Sequence, residues 1–516
     1  MTQGMSQQCR HDRIAAAELA AQRRQRGRRC FYTARAIRVS GRVEGDGETG
    51  RMSKPAPADL VVFIPGIGGS RLTASDGTVL WGGNLAKFAL NILVPGRLDL
   101  AAEPSLQPTG LLNTARAILG LGALHPYNDL ISELRRWFTI AYDPADATAK
   151  RNLEANVVAF SYDFRQSVAT TAARLDDEVR TRLDHLTGSR DTPGRVVVIG
   201  HSMGGLVARH WLGPDGGAPL CRALYTLGTP HRGAPKALEV LANGARVKGV
   251  EYRPISSVLR SWPAVYELLP RYPMIDVYGE VGGQLRRPHE VAHPHLGEPA
   301  DKAYKLHRDI EDCWPSPSTK PMPTVTAYFG HGHATPSSAR LFGDEIVVSN
   351  EPPSVDTEWL GDSTVPRLSA IPIELDAIRD RWRPSGLRHG ALGSVGAVVQ
   401  DLRMLWTGST SAYRGSGSDS TIGFEVDEIV CAGEPVEITA HVRRDGQPVA
   451  GTITGTIRPD GRPDRERSID MTTEAEQTHA TIAGLDPGSY RIELSGRLVN
   501  GEVTAPCQEW IMVVDE

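Results

Sequence analysis

VVVIGHSMGG, residues 196–205, is a run of β-branched residues that stops on a serine set among glycines. Val196–Ile199 has the unbroken apolar character of a strand buried on both faces. The next stretch, GLVARHWL at 205–212, reads as a helix. Gly200-His201-Ser202-Met203-Gly204 therefore fits G-x-S-x-G in the context that gives the pattern meaning, a strand before it and a helix after. So sharp a turn strains the backbone at Ser202 and is tolerated only where the residues two away lack bulk. The strain lifts the hydroxyl to the carboxyl edge of a sheet. The Met203 N–H, at a helix start, then faces a developing oxyanion. The competing reading is a Gly-rich turn with an incidental serine, which the flanking strand and helix disfavour.

Outward from this turn the pattern repeats. LVVFIP (60–65), NVVAFSY (156–162), ALYTLG (223–228) and TVTAYFG (324–330) are short apolar runs bounded by Gly, Pro or Ser. Between two of the strands, TTAARLDDEVRTRLDHL (170–186) sets Leu175, Val179, Leu183 and Leu186 on one helical stripe with charges opposite. Continuously apolar strands alternating with amphipathic helices predict an α/β domain with a parallel sheet covered on both faces, over residues 53–408. STSAYRGSGSDS then reads as a Gly/Ser linker over 409–420. Beyond it the period falls to two: Val436, Ile438, Ala440 and Val442 alternate with polar residues, as do Tyr490, Ile492 and Leu494. The turn signals RDGQP, PDGRP and LDPGS separate the runs. Residues 421–516 are expected to form a small antiparallel, Ig-like β-sandwich with Cys431 and Cys507 on its first and last strands.

The remaining composition sets bounds. The chain has 516 residues, 40% hydrophobic and 23% charged, with net charge −4. That balance gives no argument for nucleic acid or an anionic membrane as partner. No apolar run approaches the ~20 residues of a membrane span. Residues 1–52 are basic and lack any apolar period, so a disordered tail is expected, with Met52 a candidate working start. The six cysteines are scattered without metal-ligand spacing. With no secretory signal, they point to reduced thiols and a cytoplasmic protein.

A serine nucleophile needs a base, and the base needs an orienting carboxylate, in the chain order Ser, Asp or Glu, His for this architecture. WLGDSTVPRLS places Asp362 in a loop, and RPSGLRHGALGS places His389 just before the apolar helix VGAVVQDLRMLW. Asp344, Asp356, His331 and His333 compete for these roles; His210 would be carried away by the helix after Ser202. The second oxyanion donor should follow an earlier strand. VVFIPGIGGSRL supplies the Ile67 N–H. His289-Glu290-Val291-Ala292-His293 spells a zinc-protease signature, but Pro294 pushes His293 out of the helical region, so no metal and no cofactor is expected.

IPGIGGSRL, SYDFR, GHSMGG, LGTPHRG, SWPAVYELLP, GDSTVP and the late HGAL together resemble the lecithin:cholesterol acyltransferase family of α/β-hydrolases, as a bacterial member of it, over about residues 60–405. The resemblance implies an α/β-hydrolase fold with a cap or lid. It also implies cleavage of lipid acyl esters through an acyl-enzyme, with transfer to an alcohol or to water. It places Ser202, Asp362 and His389 on the family's triad and Ile67 and Met203 on its oxyanion positions. Two departures stand out. Residues 72–125 lack the cysteines that close the lid of secreted animal members, and the acid loop reads GDSTVP where GDGTVP is usual. The apolar stretch 79–98, with Trp81, Phe88, Leu90, Ile92 and Leu93, and the insertion over about 235–320 could line an acyl tunnel or pack on the core. Two other readings stay open: an inert α/β domain meeting a protein partner through the C-terminal sandwich, and a small-ester or thioester hydrolase.

Overall fold

The structure, a computed structural model, describes residues 54–57, 59–83, 95–112, 116–118, 122–124, 127–146, 149–188, 194–247, 250–279, 283–314, 322–354, 359–393, 396–407, 420–444, 447–474, 477–504 and 506–514. The expected tail at 1–52, nearly all of the expected linker, and Phe88, Leu90, Ile92, Leu93 and Asp356 lie outside these residues.

Seven strands form the central sheet: β1 Leu60–Ile64, β2 Tyr142–Asp143, β3 Val157–Ala159, β4 Val196–His201, β5 Cys221–Leu227, β6 Thr324–Gly330 and β7 Trp382–Ser385. They run in the order β7-β6-β5-β4-β1-β3-β2, and every pairing is parallel. β1 sits between β3 and β4 with Phe63 opposite Ile199 and Ile64 opposite Gly200. Parallel strands need crossovers, and helices supply them on both faces. Val61, Phe63, Val197 and Ile199 pack against α1 (Asn128–Trp137) through Leu130 and Leu134 and against Val398 and Leu402 of the late helix Ala397–Thr407. Leu60, Val62, Ile64 and Val198 point the other way, onto α2 (Val168–Gly188) and α3 (Met203–Leu212). The predicted stripe Leu175, Val179, Leu183 and Leu186 is the buried face of α2.

The two outermost strands, β2 and β7, are absent from the sequence reading because they lack an apolar run. β7 even contains Pro384, which an edge strand tolerates because it has a neighbour on one side only.

The insertion expected as cap is largely core. Ile255, Val258, Leu259, Trp262, Val265 and Leu269 join the apolar cluster that backs the central sheet. Trp81 is not tunnel surface: it is 1% exposed, donates from Nε1 to Gly68 O at 2.7 Å and meets Phe164 edge-on. In the H-E-x-x-H stretch, Pro288–Glu290 is a single 3₁₀ turn and Val291 is already extended, so the two histidines share no helix face. His289 stacks on Tyr304, and His293 donates to the Asp344 carbonyl. Among the described residues no cluster of three or more metal-ligating side chains occurs.

The C-terminal region holds two further sheets. One runs β8 (Ser420–Val426), β10 (Val436–Arg444), β14 (Gln477–Ile482), β13 (Thr472–Glu474), all antiparallel, with Gln447–Pro448 added on β10. The other runs β9 (Ile429–Cys431), β16 (Cys507–Val514), β15 (Gly488–Leu498), β11 (Gly451–Pro459), β12 (Arg467–Ile469). Val436, Ile438, Ala440 and Val442 from the first meet Ile453, Ile492, Leu494 and Ile511 from the second in one buried core. The β9–β16 pairing is parallel, so the region is not wholly antiparallel. Cys431 lies on the second strand rather than the first, and both Cys431 and Cys507 are free thiols.

Residues 54–516 form one compact unit, so these sheets are docked on the α/β part. Met512 enters the core behind the central sheet, the Cys507 thiol donates to Gly386 O at 3.0 Å, and Lys236 faces Glu428 at 3.6 Å.

Candidate functional site

The site is built at the carboxyl edge of the central sheet, where each strand ends in a loop. β4 ends at His201, and Ser202 follows with φ 51° and ψ −126°, a region that L-residues rarely adopt, before α3 begins at Met203. The turn is held by Ser202 N–H donating to Leu227 O at 2.8 Å and by Gly205 N–H returning to Ser202 O at 3.0 Å. The flanking glycines are required by contact. A Cβ on Gly200 would lie 2.7 Å from Gly205 Cα, and one on Gly204 would lie 2.4 Å from Ile64 O.

Ser202 Oγ lies 2.9 Å from His389 Nε2, and His389 Nδ1 lies 2.8 Å from Asp362 Oδ2. Since a carboxylate can only accept, Nδ1 carries the proton and Nε2 is free to accept from the serine hydroxyl. Asp362 is fully buried. Its Oδ1 accepts from Thr364 N–H at 3.0 Å and Val365 N–H at 2.6 Å, and its carbonyl accepts from His389 N–H at 2.9 Å. The loop is fixed in turn by the Thr335 hydroxyl oxygen, which accepts from both Gly361 N–H and Ser363 N–H. His389 opens a one-turn helix, His389–Leu392.

The structure thus brings together Ser202, His389 and Asp362, and leaves Asp344, His210 and His333 outside this line. Asp344 is exposed, and His210 pairs with Asp215, just past the end of α3. Burial pushes His333 down to about 4 and keeps its ring neutral, with Nε2 donating to Gly386 O. Met203 follows Ser202 at the start of α3, and Ile67 stands one residue beyond Gly66 in the loop after β1. A Cβ on Gly66, the residue before Ile67, would come 2.9 Å from Ser202 Cβ. Among the described residues neither the Ile67 nor the Met203 N–H is spent on an acceptor.

Two residues that the sequence reading passed over complete the setting. Tyr127, just before α1, accepts from Gly66 N–H at 3.1 Å and lies 3.0 Å from His201 Nδ1. His201 Nε2 lies 3.1 Å from the His389 carbonyl. A carbonyl only accepts, so Nε2 is protonated, Nδ1 accepts, and the Tyr127 hydroxyl is the donor to it. Full burial raises the phenol well above its ordinary range and keeps that proton in place. One chain of hydrogen bonds therefore links the loop after β1, the residue before Ser202 and the backbone of His389. His201 stands inside the quoted motif, but nothing local marks Tyr127. Tyr162, from SYDFR, adds a hydroxyl donated to Pro65 O at 2.8 Å.

Residues 127–245 match the family described as "PGAP1-like alpha/beta domain". The chain is 29% identical over 204 residues to phospholipid:diacylglycerol acyltransferase 1 of Arabidopsis thaliana, a match covering 34% of this chain and 29% of that protein. The chain thus spans less than a third of the curated relative's length. The two matches relate it to an α/β-domain family and to a lipid acyltransferase. Among solved structures, a DUF4785 family protein of Legionella pneumophila aligns at 13% identity and TM-score 0.16, over 19% of this chain and 29% of that one. The Lin-41 filamin domain aligns at 16% identity and TM-score 0.15, over 19% of this chain and 92% of that one.

Proposed function

We propose that the protein is a serine-dependent lipid acyl-ester hydrolase or O-acyltransferase on an α/β-hydrolase fold. The observation that carries this reading is the continuous line from Ser202 Oγ through His389 to the buried Asp362, with hydrogen bonds of 2.9 and 2.8 Å. In the proposed reaction Ser202 Oγ attacks the acyl carbonyl as His389 Nε2 takes its proton, and Asp362 holds the imidazole tautomer. The oxyanion forms against the Met203 and Ile67 N–H groups, which among the described residues have no other acceptor to give up. His389 returns the proton to the departing alkoxide. Water or an alcohol then attacks the acyl-enzyme by the same route and frees Ser202. No metal or cofactor enters this scheme. The match to a phospholipid:diacylglycerol acyltransferase supports a lipid acyl donor.

The test is Ser202→Ala against p-nitrophenyl esters and a fluorophosphonate probe. Loss of both hydrolysis and labelling, with thermal unfolding near wild type, is the expected result; an unchanged rate would overturn the mechanism. Phospholipid vesicles with a long-chain alcohol then separate the substrate classes. Turnover confined to acetyl esters would point to a small-ester hydrolase.

A further inference from the structure

The residue before His389 reaches out of the α/β part. Arg388 is 5% exposed, and its guanidinium lies over the ring of Phe424, on β8, at 5.1 Å. Its Nε is 2.6 Å from Glu509 Oε2, on the last strand β16, and donates to Ser363 Oγ at 3.2 Å. Its Nη2 is 3.7 Å from Glu428. Both side chains of the closest pair are almost fully buried, at 6% for Arg388 and 2% for Glu509. Arg388 thus touches the neighbour of Asp362, is itself the neighbour of His389, and finds its countercharge on the C-terminal sheets.

We infer that Glu509, by anchoring Arg388 against Ser363, makes the C-terminal sheets a positioning element for the His389–Asp362 pair. The inference rests on the acyl-transfer reading of Ser202. It assigns the sheets a role inside the site that a pendant interaction module would not have. A buried guanidinium needs a countercharge, and Glu509 supplies it at the shortest distance. Held there, Arg388 fixes the backbone entry to the turn His389–Leu392, and its bond to Ser363 fixes the acid loop. Both loops rest on the end of β6, where a Cβ on Gly330 would lie 2.2 Å from Leu387 O and 2.5 Å from Asp362 Cβ, and Arg388 ties them together from the side of the C-terminal sheets. Displacements of about an ångström at such a pair cost rate without costing substrate binding.

The experiment uses the full chain. Glu509→Gln should lower kcat on a p-nitrophenyl ester about tenfold or more while KM stays within twofold. Because this variant leaves Arg388 buried without its countercharge and can fail to fold, the paired variant R388M/E509M is made beside it. Replacing a buried ion pair by apolar side chains of similar volume is commonly neutral for stability. The paired variant should therefore fold, as read by near-ultraviolet circular dichroism, yet show the same fall in kcat at unchanged KM. Arg388→Lys, which keeps the charge but not the planar fork, should recover only part of the rate. A merely structural role would lower the melting temperature and leave kcat of the folded enzyme alone. A folded R388M/E509M with wild-type kcat overturns the inference. If Ser202→Ala is inactive and the paired variant fully active, only this inference fails. If Ser202→Ala is active, the acyl-transfer reading fails first.

Discussion

His201 accepts a hydrogen bond at 3.0 Å from Tyr127, a residue that also caps the N–H of Gly66 in the loop after β1. The two side chains couple the proposed oxyanion loop to the turn at Ser202. Tyr127→Phe keeps the ring but removes the buried hydroxyl that accepts from the Gly66 N–H and donates to His201 Nδ1. An unsatisfied buried group costs about 1–3 kcal/mol. The variant should lose stability of that order in urea unfolding. It should also react with a fluorophosphonate about tenfold more slowly, since ~1.4 kcal/mol at the transition state is a factor of ten. Unchanged labelling would mean that the link is structural only.

Asp362→Asn should cost on the order of 10⁴ in turnover with the fold intact. The amide oxygen can keep the bonds that Oδ1 accepts from Thr364 and Val365. The amide nitrogen then faces His389 Nδ1 and, being a donor, turns the ring to the tautomer whose Nε2 cannot accept from Ser202. Steady-state ester hydrolysis and a circular dichroism spectrum decide it.

Ser363 adopts φ 77°, in the left-handed region where glycine is at ease. This is the position where the resembling family reads GDGTVP. Ser363→Gly and Ser363→Ala both lose the oxygen that accepts from Arg388, but only glycine relieves the backbone. The glycine variant should be more stable than the alanine variant by about 1 kcal/mol. Paired denaturant melts measure the difference.

Glu267 is buried, and its carboxyl receives the Ser167 hydroxyl at 2.6 Å and the Val168 N–H at 2.7 Å, at the start of α2. Desolvation raises it from 4.5 to about 7. Between those values the folded chain keeps a proton that the unfolded chain has released. Its contribution is fully present below pH 4.5 and is lost as pH rises through 7. Glu267→Gln does not titrate, so from pH 4.5 to pH 8 it should gain about 3 kcal/mol relative to wild type. His307 and His333, held down to about 4, act with the opposite sign but in both proteins, so they cancel in the difference. A constant difference across pH would show that Glu267 is not held protonated by burial.

The sequence by itself determined the local pieces. Unbroken apolar strands, the stripe of α2 and the glycines of GHSMGG are short-range patterns, and each is forced by what a strand, a helix or a strained turn permits. The period-two runs at 436–442 and 490–494 likewise specified sheet faces. Tertiary structure alone decided what had to be chosen among equals. Asp344 and Asp362 carry the same chemistry in similar loops, and only packing put Asp362 opposite His389 and left Asp344 in solvent. Packing also drew β2 and β7 into the sheet, since an edge strand is held by its neighbour rather than by its own side chains. It turned Trp81 inward, where the residue's apolarity fits a core as well as a tunnel. The Tyr127–His201 and Arg388–Glu509 contacts join distant segments by hydrogen bonds and charge. Such contacts carry no period along the chain, so they exist only once the chain has folded.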